Sequence, residues 1–338
     1  MNTKTANIAS IEYYLPENVL TNEELAALYP DWSADKIYLK TGIKARHIAA
    51  HDECASDLGI KAAFKLLEKG DIRPDEIDTL IFCTQMPDYC IPQTSGIIQD
   101  RLGLPTSCAA FDINLGCSGF VYGLSIASAY IRSEMANNVL LITAETYSKL
   151  IHPLDKSVRT IFGDAGAATL ISADKGIAQI GDFAFGTDGS GYHNLIAPTS
   201  GFRIPRTPET AQEKEDESGN IRSLDNLYMN GSNIFAFTMR SVPKNIQQLL
   251  DKVNLALNDI DWIIFHQANQ FMLQNIVKKL GIPESKAPFC LEQYGNTVSS
   301  SIPITIKDCL QLFRDGNKIM LVGFGVGYSW GAVLLEWT

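Results

Sequence analysis

Short apolar runs rich in Val, Ile and Leu recur along the chain, each bounded by turn residues: Thr79 to Cys83, Val139 to Thr143, Trp262 to Phe265 and Lys318 to Val322. Runs this short, without polar alternation, read as strands buried on both faces. Between them the apolar positions return at helical spacing, which predicts helices over Ala55 to Lys69, Ser118 to Arg132, Val242 to Val253, Gln270 to Leu280 and Ser299 to Phe313. Thr21 followed by Glu24 ahead of an Ala/Leu segment reads as a capping box, hydroxyl and carboxylate satisfying orphan backbone donors. Strands alternating with helices predict a layered α/β fold.

The chain also resembles itself. KLLEKGDIRPDEIDTLIF (Lys65 to Phe82) aligns without a gap on QLLDKVNLALNDIDWIIF (Gln248 to Phe265), and NNVLLIT (Asn137 to Thr143) on NKIMLVG (Asn317 to Gly323) at nearly the same displacement. Repetition over more than one element predicts two related α/β halves packed as one body. The charged stretch Glu209 to Asn220 between them has no apolar anchor and reads as a solvated loop.

Composition narrows the function. With 338 residues, 46% apolar and 20% charged, there is room for two packed units and an enclosed site. The balance of 28 Lys+Arg against 38 Asp+Glu, a net charge of -10, argues against nucleic acid as the main partner. The opening residues lack a signal-peptide or transit pattern and no apolar run reaches the roughly 18 residues of a membrane span, so a cytoplasmic protein is expected. Seven cysteines (Cys54, Cys83, Cys90, Cys108, Cys117, Cys290 and Cys309) form an odd set with no C-x-x-C pair. Neither a disulfide framework nor a metal site is expected, and most should be buried free thiols.

Three residues stand where chemistry is plausible. In DINLGCSGFVYGL, Cys117 falls at a strand-to-helix turn between Gly116 and Gly119, where helix-terminal N–H groups favour a thiolate. His266 closes a predicted strand in DWIIFHQAN, at the end where open α/β sheets bind ligands, and the repeat sets Cys83 opposite it. Asn296 lies in the Gly-Asn turn of EQYGNTVSSSIPI. The Gly-rich run GFGVGYSWG does not fit G-x-G-x-x-G, so close backbone approach to a site suits it better than a dinucleotide. Cys, His and Asn in this order serve either a papain-like hydrolase or thioester chemistry. The missing C-G-S-C-W signature and the α/β repeat weigh against the hydrolase.

Six ordered motifs, LKTGIKARHIA, DINLGCSGFVYGL, IFGDAGAATL, DWIIFHQAN, YGNTVSSSIPI and GFGVGYSWGAVLLEW, closely resemble those of the 3-oxoacyl-[acyl-carrier-protein] synthase III family within the thiolase superfamily. The resemblance implies a five-layered αβαβα fold of two duplicated halves, residues 1–172 with the nucleophile and 173–338 with His and Asn, and a homodimer. It implies that Cys117 takes an acyl group from coenzyme A or a carrier protein, that His266 and Asn296 stabilise the enolate of a decarboxylating malonyl thioester, and that the backbone N–H groups of Cys117 and Val326 form the oxyanion hole. Relatives usually carry Gly at the last position, so the stiffer Val326 puts that hole in question. Ile91 and Phe324 would line the acyl tunnel, Ile91 where Phe is common, implying a different primer, longer or branched. Asn269, Lys36, Lys40, Lys278 and Lys279 would meet coenzyme A or carrier protein; Lys36 replaces the Trp that stacks on adenine, and Phe271 and Ala236 replace basic contacts. No redox or metal cofactor is implied. The alternatives are a non-decarboxylating acyltransferase on the same fold and a non-catalytic partner subunit. The 3-hydroxy-3-methylglutaryl-type condensation is disfavoured, because CTQMPDY (Cys83 to Tyr89) lacks the general-base Glu.

Overall fold

The computed structural model describes residues 4–174 and 176–338. Nine strands form its main sheet: β1 (Asn7–Tyr14), β2 (Thr79–Cys83), β3 (Ala109–Ile113), β4 (Asn138–Glu145), β5 (Ala165–Ser172), β6 (Ala178–Thr187), β7 (Trp262–Phe265), β8 (Lys318–Gly325) and β9 (Ser329–Trp337), in the order β7-β8-β9-β6-β1-β5-β4-β2-β3. The sheet is two blocks joined by a narrow seam, since β1 and β6 pair only through Asn7 with Gln179 and Ile8 with Ala178. Each block repeats the other. β2 runs parallel to β4 with Thr79 opposite Val139, and β7 runs parallel to β8 with Trp262 opposite Ile319, the same register under the internal sequence alignment. Antiparallel β5 and β1 complete one block, β9 and β6 the other.

The helices are α1 (Asn22–Leu28), α2 (Ala34–Thr41), α3 (Ala55–Leu67), α4 (Thr94–Arg101), α5 (Gly119–Arg132), α6 (Gly231–Val253), α7 (Gln270–Leu280) and α8 (Ser301–Asp308), with short turns besides. Helix α3 covers the outer face of the first block and α6 that of the second, while α5 and α8 lie between the blocks. Five layers result, as the fully apolar strands require: a strand buried on both faces needs a cover on each. Phe120, Val121 and Ile302 anchor the middle layer.

Most expected elements stand within a residue or two of the sequence reading, and the Thr21–Glu24 capping box is formed. Two helices differ. Helix α6 begins at Gly231, capped by Asn230, and runs through Pro243, where the periodicity suggested a start at Val242. Helix α8 is shorter than the expected Ser299 to Phe313, because tight turns at Val298–Ser300 and Leu310–Leu312 flank it. The Glu209 to Asn220 stretch is surface-lying but carries a two-residue strand, Lys214–Glu215, paired with Ile221–Arg222. Cys83, Cys117 and Cys309 are buried, Cys54, Cys108 and Cys290 partly so, and Cys90 is exposed, all as free thiols. No helix among the described residues is long and apolar enough to cross a membrane.

Helix α3 seats directly on β5 at Gly166, where an added Cβ would lie 2.4 Å from the Leu58 carbonyl carbon. Backbone cannot move aside as a side-chain tip can, so Gly166→Ala is expected to lower the unfolding free energy by about 1–3 kcal/mol. Urea denaturation of the two proteins measures it.

Candidate active site

The strand β3 ends before a turn in which the Gly119 N–H bonds the Gly116 carbonyl at 2.7 Å, and α5 starts at Gly119 with Cys117 just ahead of it. Across from this turn lies β8. Added Cβ atoms at Gly323 and Gly325 would stand 2.9 Å from Ser118 Cα and 2.7 Å from Cys117 Cβ, so only glycine lets the second block approach the turn this closely. His266 extends β7 by one residue, its N–H bonded to the Val322 carbonyl at 2.8 Å. Asn296 is held by its backbone: its N–H meets the Ile161 carbonyl at 2.9 Å and its carbonyl accepts from Gly163 at 3.0 Å.

Cys117, His266 and Asn296 thus line one cavity of about 240 Å³, together with Phe324, Asn269 and the apolar Ile234 and Met272. The three side chains, remote in sequence, are buried to 4%, 1% and 5% exposure, which takes them out of bulk water. Asn296 Oδ1 accepts the Val298 N–H at 2.9 Å, leaving its NH2 as the group free for a ligand. Val298 adopts φ 52°, in the left-handed region that β-branched residues avoid, so strain is stored beside this amide. His266 Nδ1 lies 2.7 Å from Ser301 Oγ, and Nε2 has no hydrogen-bond partner among the described residues. Burial pushes the imidazole down to about 3, opposed only by the nearby Val298 carbonyl, so the ring is neutral at physiological pH.

Burial also pushes the Cys117 thiol up to about 12, with backbone N–H groups of Val326 and of Cys117 itself pulling the other way. The expected thiolate-favouring position at a helix start is therefore present, but desolvation outweighs it and the resting thiol is protonated. Val326 is not among the residues with left-handed backbone, so its position does not demand glycine. Its carbonyl accepts from Ser329 Oγ at 3.0 Å, and that hydroxyl lies 2.6 Å from Ser118 Oγ, which pins the loop to the Cys117 turn.

Comparison with known proteins shows the family. The sequence model of the 3-oxoacyl-[acyl-carrier-protein] synthase III family matches residues 111–189, and that of its C-terminal part residues 250–337. A beta-ketoacyl-[acyl-carrier-protein] synthase III of Chlamydia caviae is 38% identical over 336 residues, covering 98% of this chain and 97% of that protein. The chain belongs to the 3-oxoacyl-[acyl-carrier-protein] synthase III family. Among solved structures, a 3-oxoacyl-(acyl-carrier-protein) synthase III shares 49% identity with a TM-score of 0.96, covering 98% of this chain and 100% of that one. A 3-oxoacyl-(acyl-carrier protein) synthase from Burkholderia xenovorans shares 37% with a TM-score of 0.90, covering 99% and 94%.

Other expected synthase residues are placed less uniformly. Phe324 lies edge-on to His266, with centroids 5.6 Å apart, and so belongs to the cavity of the reactive groups. Asn269 lines that cavity but its Oδ1 is engaged in capping α7 through the Met272 N–H. Ile91 is 86% exposed and does not line this cavity. Lys278 and Lys279 occupy the last turn of α7, roughly 14 Å along the helix from Asn269, where they complement the helix dipole. Lys36 and Lys40 lie outside the cavity, their ammonium groups 5.5 and 5.3 Å from the Trp32 ring centroid. An aromatic ring therefore does stand in this region, four residues ahead of the aligned position. No cluster of three or more His, Cys, Asp or Glu side chains suited to a metal occurs among the described residues.

Sequence reasoning missed Glu145. The last residue of β4 is fully buried without a cationic partner among the described residues, accepting the Gln85 N–H at 3.1 Å and facing the hydroxyls of Thr84 and Ser299. Burial holds its carboxyl well above the usual carboxylate range. The only signal was an acid ending an otherwise apolar strand. The folded protein binds a proton here that the unfolded chain releases above about pH 4.3, so stability falls as pH rises through and beyond that value. Glu145→Gln removes this loss: its melting temperature is expected to exceed the wild type's by a margin that widens from about pH 5 to about pH 8. A margin independent of pH would contradict the protonated acid.

Proposed function

We propose that the protein joins an acyl primer, carried as a thioester on Cys117, to a malonyl thioester with loss of carbon dioxide, giving a 3-oxoacyl thioester in fatty-acid or related acyl-chain assembly. The observation that carries the reading is the convergence of a buried thiol, a neutral imidazole and an amide NH2 on one cavity. Cys117 sulfur attacks the donor carbonyl, the donor's carbon–sulfur bond breaks, and the thiol proton ends on the departing thiol. The malonyl thioester then loses carbon dioxide, and the negative charge on its carbonyl oxygen is met by His266 Nε2–H and Asn296 Nδ2–H. Neutral donors suit this step, because they stabilise the enolate without an acidic proton to quench its carbon. That carbon attacks the acyl carbonyl on Cys117, whose oxyanion is held by the N–H groups of Cys117 and Val326, and collapse releases the sulfur.

Donation from Nε2 fixes the other nitrogen as an acceptor. The single Ser301 proton must then point to Nδ1 rather than to the Val298 carbonyl 3.0 Å away. The donor's phosphopantetheine arm reaches Cys117 through the apolar cavity, with Lys36 and Lys40 as outlying phosphate contacts. A homodimer is part of this reading, supported by the exposed apolar Tyr89, Ile91 and Phe202.

Intact-protein mass spectrometry after incubation with acyl-coenzyme A and acyl-carrier-protein donors tests the first half-reaction: an acyl adduct is expected on the wild type and none on Cys117→Ala. Loss of carbon dioxide from malonyl thioester tests the second, and Asn296→Ala should reduce it by about 100-fold, as removal of an oxyanion donor does. Unimpaired turnover in that variant would favour simple acyl transfer. Ser301→Ala should slow decarboxylation about 10-fold through the lost tautomer control while leaving adduct formation near wild type. Equal loss of both half-reactions would mean that Ser301 serves only the fold.

A further inference from the structure

A second cavity, of about 270 Å³, lies beside the first; Leu195 lines both, and Val326 and Gln85 form its inner wall. It adjoins the nucleophile. A Cβ added at Gly116 would stand 2.5 Å from Gln85 Oε1 and 2.7 Å from Val326 Cγ1, so both side chains pack on the backbone next to Cys117. Val326, whose backbone lies against the Cys117 sulfur, stands between the two cavities, so an acyl group on Cys117 turned away from His266 and Asn296 would be directed past it toward this space. Part of its wall is apolar, with Leu150 and Leu227. The part nearest the sulfur sets the polar Gln85 beside the apolar Val326.

The Gln85 amide is held in one orientation. Buried Tyr147 donates its hydroxyl to Gln85 Oε1 at 2.5 Å, and the Gln85 backbone N–H is fixed on Glu145. Burial keeps the Tyr147 phenol protonated and therefore a donor. With Oε1 so occupied, the Gln85 NH2 is left without a hydrogen-bond partner among the described residues, and Gln85 lines this cavity together with the exposed Asn114. A plain alkyl chain filling this space would strip water from the Gln85 donor and return nothing, a penalty a site built to hydrogen-bond its ligand levies on any analogue lacking the group.

Taking Cys117 as the acyl acceptor, we infer that this cavity is a primer pocket selective for acyl groups that carry an oxygen acceptor, a keto or hydroxyl group, on the first carbons beyond the thioester. Gln85 is the specificity-determining residue and Tyr147 the residue that orients it. Neither takes part in bond making; both act on which thioester is accepted.

The test is a competition for loading. Alkanoyl, 3-hydroxyalkanoyl and 3-oxoalkanoyl coenzyme A donors of equal chain length are offered to wild type, Gln85→Leu and Tyr147→Phe, and kcat/KM for Cys117 acylation is read by intact mass. Wild type should prefer an oxygenated donor about 10-fold, and Gln85→Leu should bring the ratio to within about 2-fold by accepting alkanoyl donors better. Tyr147→Phe, which removes only the hydroxyl, should give an intermediate ratio and carries the test alone if Gln85→Leu fails to fold. Equal loading of alkanoyl donors by wild type, or an unchanged preference in the variants, would overturn the pocket assignment. Absence of any Cys117 adduct from any donor would instead overturn the reading of Cys117 on which it rests.

Discussion

The cavity that gathers Cys117, His266 and Asn296 exists because β8 can lie against the Cys117 turn. Gly323 and Gly325 present bare backbone to Ser118 and Cys117, at distances no side chain would permit. Everything the second block contributes is referenced to that contact. His266 is paired to the Val322 carbonyl on the same strand, and Val326 follows directly from its end. The hydroxyl pair Ser118 and Ser329 then locks the loop to the turn on the far side. Two halves that repeat each other's strand order therefore meet asymmetrically, one giving the sulfur and the other the donors that surround it.

That arrangement is maintained without formal charge. Desolvation leaves the Cys117 thiol and the Glu145 carboxyl protonated and the His266 ring unprotonated. Each shift is costly alone, yet all run toward neutrality, so these three groups require no counter-ion and the cavity can stay largely apolar. In such a space a dipole is worth more than in water, and the charge that matters is the one the reaction creates. Asn296 shows how the dipoles are set in advance: a strained Val298 turns its N–H onto Oδ1, and the NH2 is oriented before any substrate arrives.

Much of this was legible in the sequence because it follows from periodicity and from repetition. The run Thr79 to Cys83 and its counterpart Trp262 to Phe265 predicted strands that fall in equivalent registers, and the repeat anticipated the two blocks. Cys117 was found by its glycines and His266 by its strand end. Features made by long-range contact were not legible. Nothing local to Ser301 announces that it will face His266, and Glu145 reads as the first polar residue after a strand rather than a buried acid. The same limit applies at Cys117: helix position is written in the local sequence, whereas the burial that raises its thiol depends on what the other half brings. That Lys36 and Lys40 both approach the Trp32 ring is likewise a matter of surface rather than of aligned position.

The two cavities also divide the labour of selection. In a two-step reaction through an acyl-enzyme, the first cavity must admit the primer's carrier and then the malonyl thioester in turn, so its wall cannot be specific for either acyl group. Its polar side chains beside Cys117, those of His266 and Asn296, suit a thioester carbonyl, and much of the remaining lining, such as Ile234, Met272 and Phe324, is apolar. Only the primer's chain lies beyond Val326 while the second thioester occupies the first cavity. Selectivity for the primer must therefore be built there, where a mismatch is felt without impeding the extender. The fixed amide of Gln85 beside the backbone of Gly116 is placed where that requirement falls.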